Sequence, residues 1–312
     1  MNNISQRDAF WDRLYELAAL NRDIILVSAD MGAPSLDRFR RDLPGQFVNT
    51  GIAEQNAVLI SAGLALAGKK VFAYAIAPFI TLRCLEQIRV ELSMMNLPVT
   101  IVGVGAGLGY EDSGPTHHLI EDIAVMRSLP NIVINSITDS AMAAAAADLS
   151  LTMKHPNYVR LERQVLPLLY GKTSDFSQGL TLLKQGKDGL VLATGCMTHT
   201  ALEIVQRLEQ QGLNLGVADI YRIPVNEEAL LRTVATMPKL VTLEEHFLPG
   251  GMGSAVCEVL TDRGTTIPVK RLGLPVQKGY CYRYGGRENL RAYYGLDKGS
   301  IEKDIKAFFG KA

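Results

Sequence analysis

Short apolar runs alternate with helical patterns along this chain, and that alternation leaves few folds open. "DIILVSAD" (Asp23 to Asp30), "KKVFAYAI" (Lys69 to Ile76), "LPVTIVGVGAG" (Leu97 to Gly107) and "NIVINSI" (Asn131 to Ile137) are apolar through their centres, and "YVRLERQ" (Tyr158 to Gln164) closes the series. A strand buried on both faces reads this way, because helices cover a parallel sheet on each side. Helical patterns lie between the runs, over residues 58–67, 82–95 and 140–153, and a charged amphipathic helix opens the chain. The polar, turn-rich stretch "LYGKTSDFSQG" (Leu169 to Gly179) interrupts the series. The pattern then restarts with "DGLVLATG", "LNLGVADI", "KLVTLEEH" and "PVKRLGLP", again with helical patterns between. The expectation is an α/β protein of two domains, residues 1–171 and 172–312, each a mostly parallel sheet covered by helices.

Lys plus Arg, 32, balance Asp plus Glu, 32, so nothing in the charge points to nucleic acid or an anionic membrane as partner. Cys84, Cys196, Cys257 and Cys281 show no zinc-ligand spacing and no disulfide framework, which fits free thiols in a reducing cytosol. The first residues are charged throughout, unlike a signal peptide, and no run stays apolar long enough to span a bilayer. A soluble, cytoplasmic protein is expected.

Few motifs carry chemistry. "VGVGAGLG" lacks the full dinucleotide fingerprint, "LPGGMGSAV" reads as a close-packed turn able to cradle an anion, and no GxxxxGK[ST] occurs. In "FVNTGIAEQNAVLISAGLALAG", Glu54 stands between a small-residue turn and an apolar helix. Helix electrostatics alone would justify a carboxylate there. The loop "GYEDSGPTHHLIED" (Gly109 to Asp122) follows a buried strand, at the end of the sheet where ligands bind, and brings Ser113, His117 and His118 together. Histidine suits proton transfer near neutrality. Arg160 and Arg163 close the last strand of the first domain, as solvated charges or as a clamp for an anionic group.

In order, "GIAEQNAV", "LEQIRVEL", "GYEDSGPTHHLIEDIAVMRSLPN" and "RLERQ" resemble the thiamine diphosphate enzymes of the transketolase family, over most of the chain. The resemblance covers that family's pyrimidine-binding and C-terminal domains. It implies a ketol transferase of carbohydrate metabolism, passing a two-carbon unit from a ketose, phosphorylated or otherwise anionic, to an aldose. Glu54 matches the glutamate that hydrogen-bonds the cofactor's aminopyrimidine, and His117 a histidine facing cofactor and substrate. Arg163 matches an arginine that grips the substrate phosphate, and Ser35 a serine of the phosphate site. Phe79, Ile80 and Arg83 fall in the cofactor-binding stretch, with Ile80 where an aromatic ring is usual. Gly105 stands where a phosphate-binding histidine is common, and Ser113 where an aspartate reads a substrate hydroxyl.

The family holds the diphosphate and Mg²⁺ with a separate domain bearing Gly-Asp-Gly…Asn, and no Gly-Asp-Gly occurs in this chain. The resemblance therefore implies one subunit of a split enzyme, with no metal ligands of its own, active in a heterotetramer of two such chains and two partners. Other readings on the same motifs are the beta subunit of a 2-oxoacid dehydrogenase, deoxyxylulose-phosphate synthesis, and a non-catalytic assembly subunit.

Overall fold

The computed structural model describes residues 4–171 and 173–311, apart from the side chain of Ser35. The chain forms two compact units, 1–109 with 125–174, and 110–124 with 175–312.

In the first unit, α1 (Gln6–Leu20) precedes β1 (Ile24–Ser28), and α2 (Pro34–Asp42) leads to the short β2 (Phe47–Asn49). Next come α3 (Glu54–Leu66), β3 (Lys70–Ile76), α4 (Ala77–Ile80), α5 (Leu85–Gln87), a π-helical turn over Ile88–Met94, and β4 (Thr100–Val104). After residues 110–124, which belong to the second unit and include the start of α6 (Asp122–Met126), come β5 (Val133–Ser136), α7 (Ser140–Thr152) and β6 (Asn157–Leu161). The strands run parallel in the order β5-β6-β4-β3-β1-β2. β1, β4 and β6 are buried at every residue, so the apolar runs do mark strands covered on both faces.

Phe10 and Trp11 of α1 are fully buried, with Trp11 edge-on to Tyr74 at 4.7 Å. The alanine-rich face of α7 lets α1 approach closely, and Arg13 ties the two helices through Asp148 at 2.7 Å. The single helix expected over 82–95 is broken instead. After α4, residues 81–84 form a turn, α5 covers only Leu85–Gln87, and Ile88–Met94 winds as a π-helix.

In the second unit, β7 (Leu180–Lys184), β8 (Gly189–Ala193), α8 (Cys196–Gln210), β9 (Leu215–Ile220) and the two-residue β10 (Arg222–Ile223) are followed by α9 (Glu227–Val234). Then come β11 (Leu240–Phe247), α10 (Met252–Asp262), β12 (Val269–Leu274), α11 (Arg287–Tyr294) and α12 (Lys298–Phe309). The sheet order is β12-β11-β8-β9-β7, parallel except for the edge strand β7. β7 carries no uniform apolar run, its pattern being half-buried, which hid it in the sequence.

The glycine-rich turn before α10 does cradle an anion, and the chain itself supplies it. The backbone N–H groups of Met252 and Gly253 donate to the carboxylate of Glu244 at 2.6 and 2.9 Å. A Cβ on Gly251 would lie 2.3 Å from that carboxylate, so the turn closes only with glycine.

Residues 110–124 fold with the second unit, where a single boundary after residue 171 would leave them in the first. Phe247 N donates to Ile120 O at 2.7 Å, which adds the segment to the end of β11. No helix among the described residues is long and apolar enough to cross a membrane.

Candidate active site

Glu54 owes its place to the turn that precedes it. Asn49, the last residue of β2, accepts N–H bonds from Asp30 at 3.2 Å and Gly51 at 2.9 Å through its side-chain oxygen. Thr50 N donates to Ser28 O at 2.9 Å, and Gly51 turns the chain with φ +70°. The ends of β1 and β2 are thereby locked together, and α3 begins at Glu54. In the sheet β1 lies between β2 and β3. Residues that follow β2 and β3 thus flank the place where the strand order reverses, and ligands bind there in open α/β sheets.

The Glu54 side chain is only 5% exposed although it starts a helix. Its Oε2 accepts from Arg83 Nη1 at 2.8 Å, and the Arg83 guanidinium stacks on the Phe79 ring at 4.2 Å. Gln55 Nε2 donates to the Arg83 carbonyl at 3.2 Å, tying the first turn of α3 to the stretch after β3. The structure therefore brings Glu54, Phe79 and Arg83 together. Ile80 has no exposed surface, so it packs behind the site and presents nothing to a cofactor, whereas Phe79 is half-buried.

Cys84 belongs to this cluster, and nothing in the sequence marked it. It is buried, its Sγ donates to the Phe79 carbonyl at 3.2 Å, and burial pushes its thiol up to about 12. The charge of Glu54 acts in the same direction and Arg83 against it. A protonated thiol beside a buried carboxylate keeps that corner free of a second negative charge.

Ser113 and His117 belong to the second unit, on the loop that follows Tyr110. Ser113 N donates to Tyr110 O at 3.1 Å and His117 N to Gly114 O at 3.0 Å, which coils the loop tightly. His117 is half-buried; its Nδ1 lies 3.1 Å from Thr116 Oγ1 and its ring 5.9 Å from that of Tyr110. His118 is different. It is 3% exposed, neither ring nitrogen has a hydrogen-bond partner among the described residues, and burial holds its pKa below the ordinary value.

The two arginines after β4 part company. Arg160, in β6, is buried at 5% exposure, while Arg163, just beyond β6, is exposed. Gly105 is buried with φ +98°, donating its N–H to Leu161 O at 2.9 Å. A histidine there would need a left-handed backbone, so the departure from the family pattern is built into the loop. Ser35 falls in the first turn of α2, its side chain outside the described residues.

One cluster escaped the sequence reading altogether. In the second unit Glu245, 4% exposed, accepts from Arg287 and Arg291, both nearly buried, with Arg291 Nε at 2.6 Å. Arg287 Nη2 also donates to Cys196 Sγ at 3.1 Å. These residues lie far apart in the chain and share no motif.

The pyrimidine-binding domain model of transketolase matches residues 2–167, and the transketolase C-terminal domain model matches 179–301. The chain is 37% identical to a subunit of the apulose-4-phosphate transketolase of Phocaeicola vulgatus, over 99% of each protein. It is 34% identical to the 6-deoxy-6-sulfo-D-fructose transketolase subunit of a Clostridium species, over 86% of this chain and 84% of that protein. Among solved structures, a split gene transketolase described as an inactive beta4 tetramer is 34% identical, covers 97% of both chains and superposes with a TM-score of 0.85.

Proposed function

The chain belongs to the transketolase family, and from that premise we propose that it is the C-terminal subunit of a split, thiamine diphosphate-dependent transketolase. It transfers a two-carbon ketol unit from an anionic ketose to an aldose once a partner chain completes the site. The observation that carries this reading is the buried carboxylate of Glu54, backed by Arg83 and flanked by the half-buried Phe79 ring.

These residues fit the aminopyrimidine side of thiamine diphosphate: a buried carboxylate, a half-buried ring nearby, and no competing charge at Cys84. When bound, the cofactor supplies the carbon that cleaves the ketose. Arg83 pins the Glu54 carboxylate through Oε2, which leaves Oε1 to share a proton with the aminopyrimidine. Ile80 packs behind them. His117 moves a proton at its imidazole on the substrate side, Ser113 offers a hydroxyl, and Arg163, with Ser35, binds the anionic end of the sugar. The relatives named for a phosphorylated and a sulfonated sugar support an anionic substrate.

The partner holds the diphosphate and Mg²⁺. Helix α3 supports its existence: beyond Glu54 it carries no charged residue, yet it buries only Ala57, Val58, Ser61 and Ala62 with Glu54 in this chain. Ile52 (81% exposed), Leu59 (45%) and Leu66 (63%) form, with Asn56 and Gly63, an open seam at three- and four-residue spacing. Exposed leucines and isoleucine at this spacing make a face suited to burial against another chain, and the seam starts beside Glu54. The assembly is a cytoplasmic heterotetramer of two plus two, with the domain boundary at residues 171–172.

The test is to purify the chain with a co-purifying partner bearing Gly-Asp-Gly, in thiamine diphosphate and Mg²⁺, and to assay ketol transfer from phosphorylated and sulfonated ketoses. Transfer is expected only with both chains present. Carbon dioxide release from pyruvate or branched-chain 2-oxoacids without ketol transfer would instead assign the 2-oxoacid dehydrogenase reaction.

A further inference from the structure

The loop carrying Ser113 and His117 is fastened to the second unit by a segment rich in tyrosine, residues 280–287. Tyr280 Oη donates to Glu121 Oε1 at 2.9 Å, and Arg287 N donates to Glu111 Oε2 at 3.1 Å. Between these two fasteners, Tyr284 reaches Gly114. A Cβ built on Gly114 would lie 3.3 Å from the Tyr284 hydroxyl, which thus rests directly over that buried glycine. Gly114 adjoins Ser113 and accepts the His117 N–H at 3.0 Å, so the phenol stands over the turn that holds both.

Tyr284 is unlike its neighbours. Tyr280 spends its hydroxyl on Glu121, and Tyr282 is 77% exposed. The Tyr284 ring is 65% exposed, and its hydroxyl has no hydrogen-bond partner among the described residues. A donor and acceptor fixed at its position but left open is suited to a ligand. The surroundings favour a neutral ligand group. Glu111 and Asp112 precede Ser113 on the same loop and oppose an anion, while Arg283 is held over the Tyr293 ring at 4.7 Å.

We propose that Tyr284 is a substrate-contacting residue supplied by the C-terminal domain, its hydroxyl bonding a neutral hydroxyl of the ketose carbon chain beside Ser113 and His117. The inference rests on the function proposed above, because it takes the His117 loop as the substrate loop. It makes the second unit a contributor to specificity as well as to assembly.

The test uses the reconstituted complex and two kinds of donor: the ketose phosphate with highest turnover, and hydroxypyruvate, which carries the transferred unit without a sugar chain. Tyr284→Phe removes only the hydroxyl. It should raise KM for the ketose about 3- to 10-fold, the loss of one neutral hydrogen bond, with kcat within about twofold. Hydroxypyruvate kinetics should stay unchanged, and Tyr282→Phe should match wild type with both donors. A wild-type ketose KM in Tyr284→Phe would overturn the proposal. So would equal losses with both donors, which mark a structural role. A wild-type complex inactive with either donor overturns the proposed function, and this inference with it.

Discussion

Replacing Gly63 with leucine separates the fold of this chain from its assembly. A Cβ at Gly63 meets nothing within 4 Å, and the residue lies inside α3 with no positive φ, so the isolated chain has room for the new side chain. Leucine is a better helix former than glycine by roughly 0.8 kcal/mol in a helix interior. For a unit of this size that raises the unfolding midpoint by about 1–3 °C. The same side chain stands between exposed Leu59 and Leu66, where the seam must admit another backbone. Overpacking a close contact typically costs about 1–3 kcal/mol, or roughly a 5- to 150-fold loss of affinity. Thermal unfolding is measured at a concentration where light scattering shows single chains, and association by titration against the partner. A less stable single chain would mean that α3 is covered within the fold. Wild-type association with full activity would refute the seam as the docking face.

Other perturbations follow from the same geometry. Glu54→Gln in the complex should lower kcat by about 10²- to 10⁴-fold, the range for a lost proton-transfer group. Its effect on stability should stay under about 1 kcal/mol, because Arg83, 45% exposed at its side chain, turns to water instead; near-normal turnover would sink the catalytic role. Glu245→Ala strands two buried guanidiniums and should cost about 3–5 kcal/mol in denaturant unfolding, against almost nothing for Glu288→Ala, whose carboxylate is 64% exposed. Cys84 should resist thiol reagents in the native chain and react only on unfolding, being wholly buried and pushed up to about 12. His118 has its folded pKa lowered from 6.5, chiefly by burial, with Glu245 pulling the other way. Its contribution is present above that pH and lost as the pH falls, because the unfolded chain binds the proton more readily. The midpoint of wild type should therefore drop more steeply between pH 7 and 5 than that of His118→Leu; parallel profiles would refute this.

Much of the fold was legible because a parallel strand buried on both faces is mostly apolar, and β1, β3 and β4 each wrote that requirement into consecutive residues. Edge strands carry no such demand. β2 is three residues long and β7 half-buried, and neither stood out. The break in the helix after β3 was equally silent, since a π-helical turn uses the same residues as an α-helix.

Glu54 and the His117 loop could be picked out because each is a compact motif, readable along the chain. Their partners could not. Arg83 reaches Glu54 across 29 residues, and Tyr284 reaches Gly114 across an interval six times as long, roughly the length of a domain. The carboxylate that fills the glycine-rich turn, the ring that stays half-buried at Phe79 while Ile80 vanishes into the core, and the capture of residues 110–124 by the second unit have the same origin. Local sequence determines periodicity, turn chemistry and the type of each reactive group, because those depend on neighbours a few residues away. Which groups meet, which are buried and which are left open depends on where sheets and loops bring distant residues, and only the tertiary structure decided that.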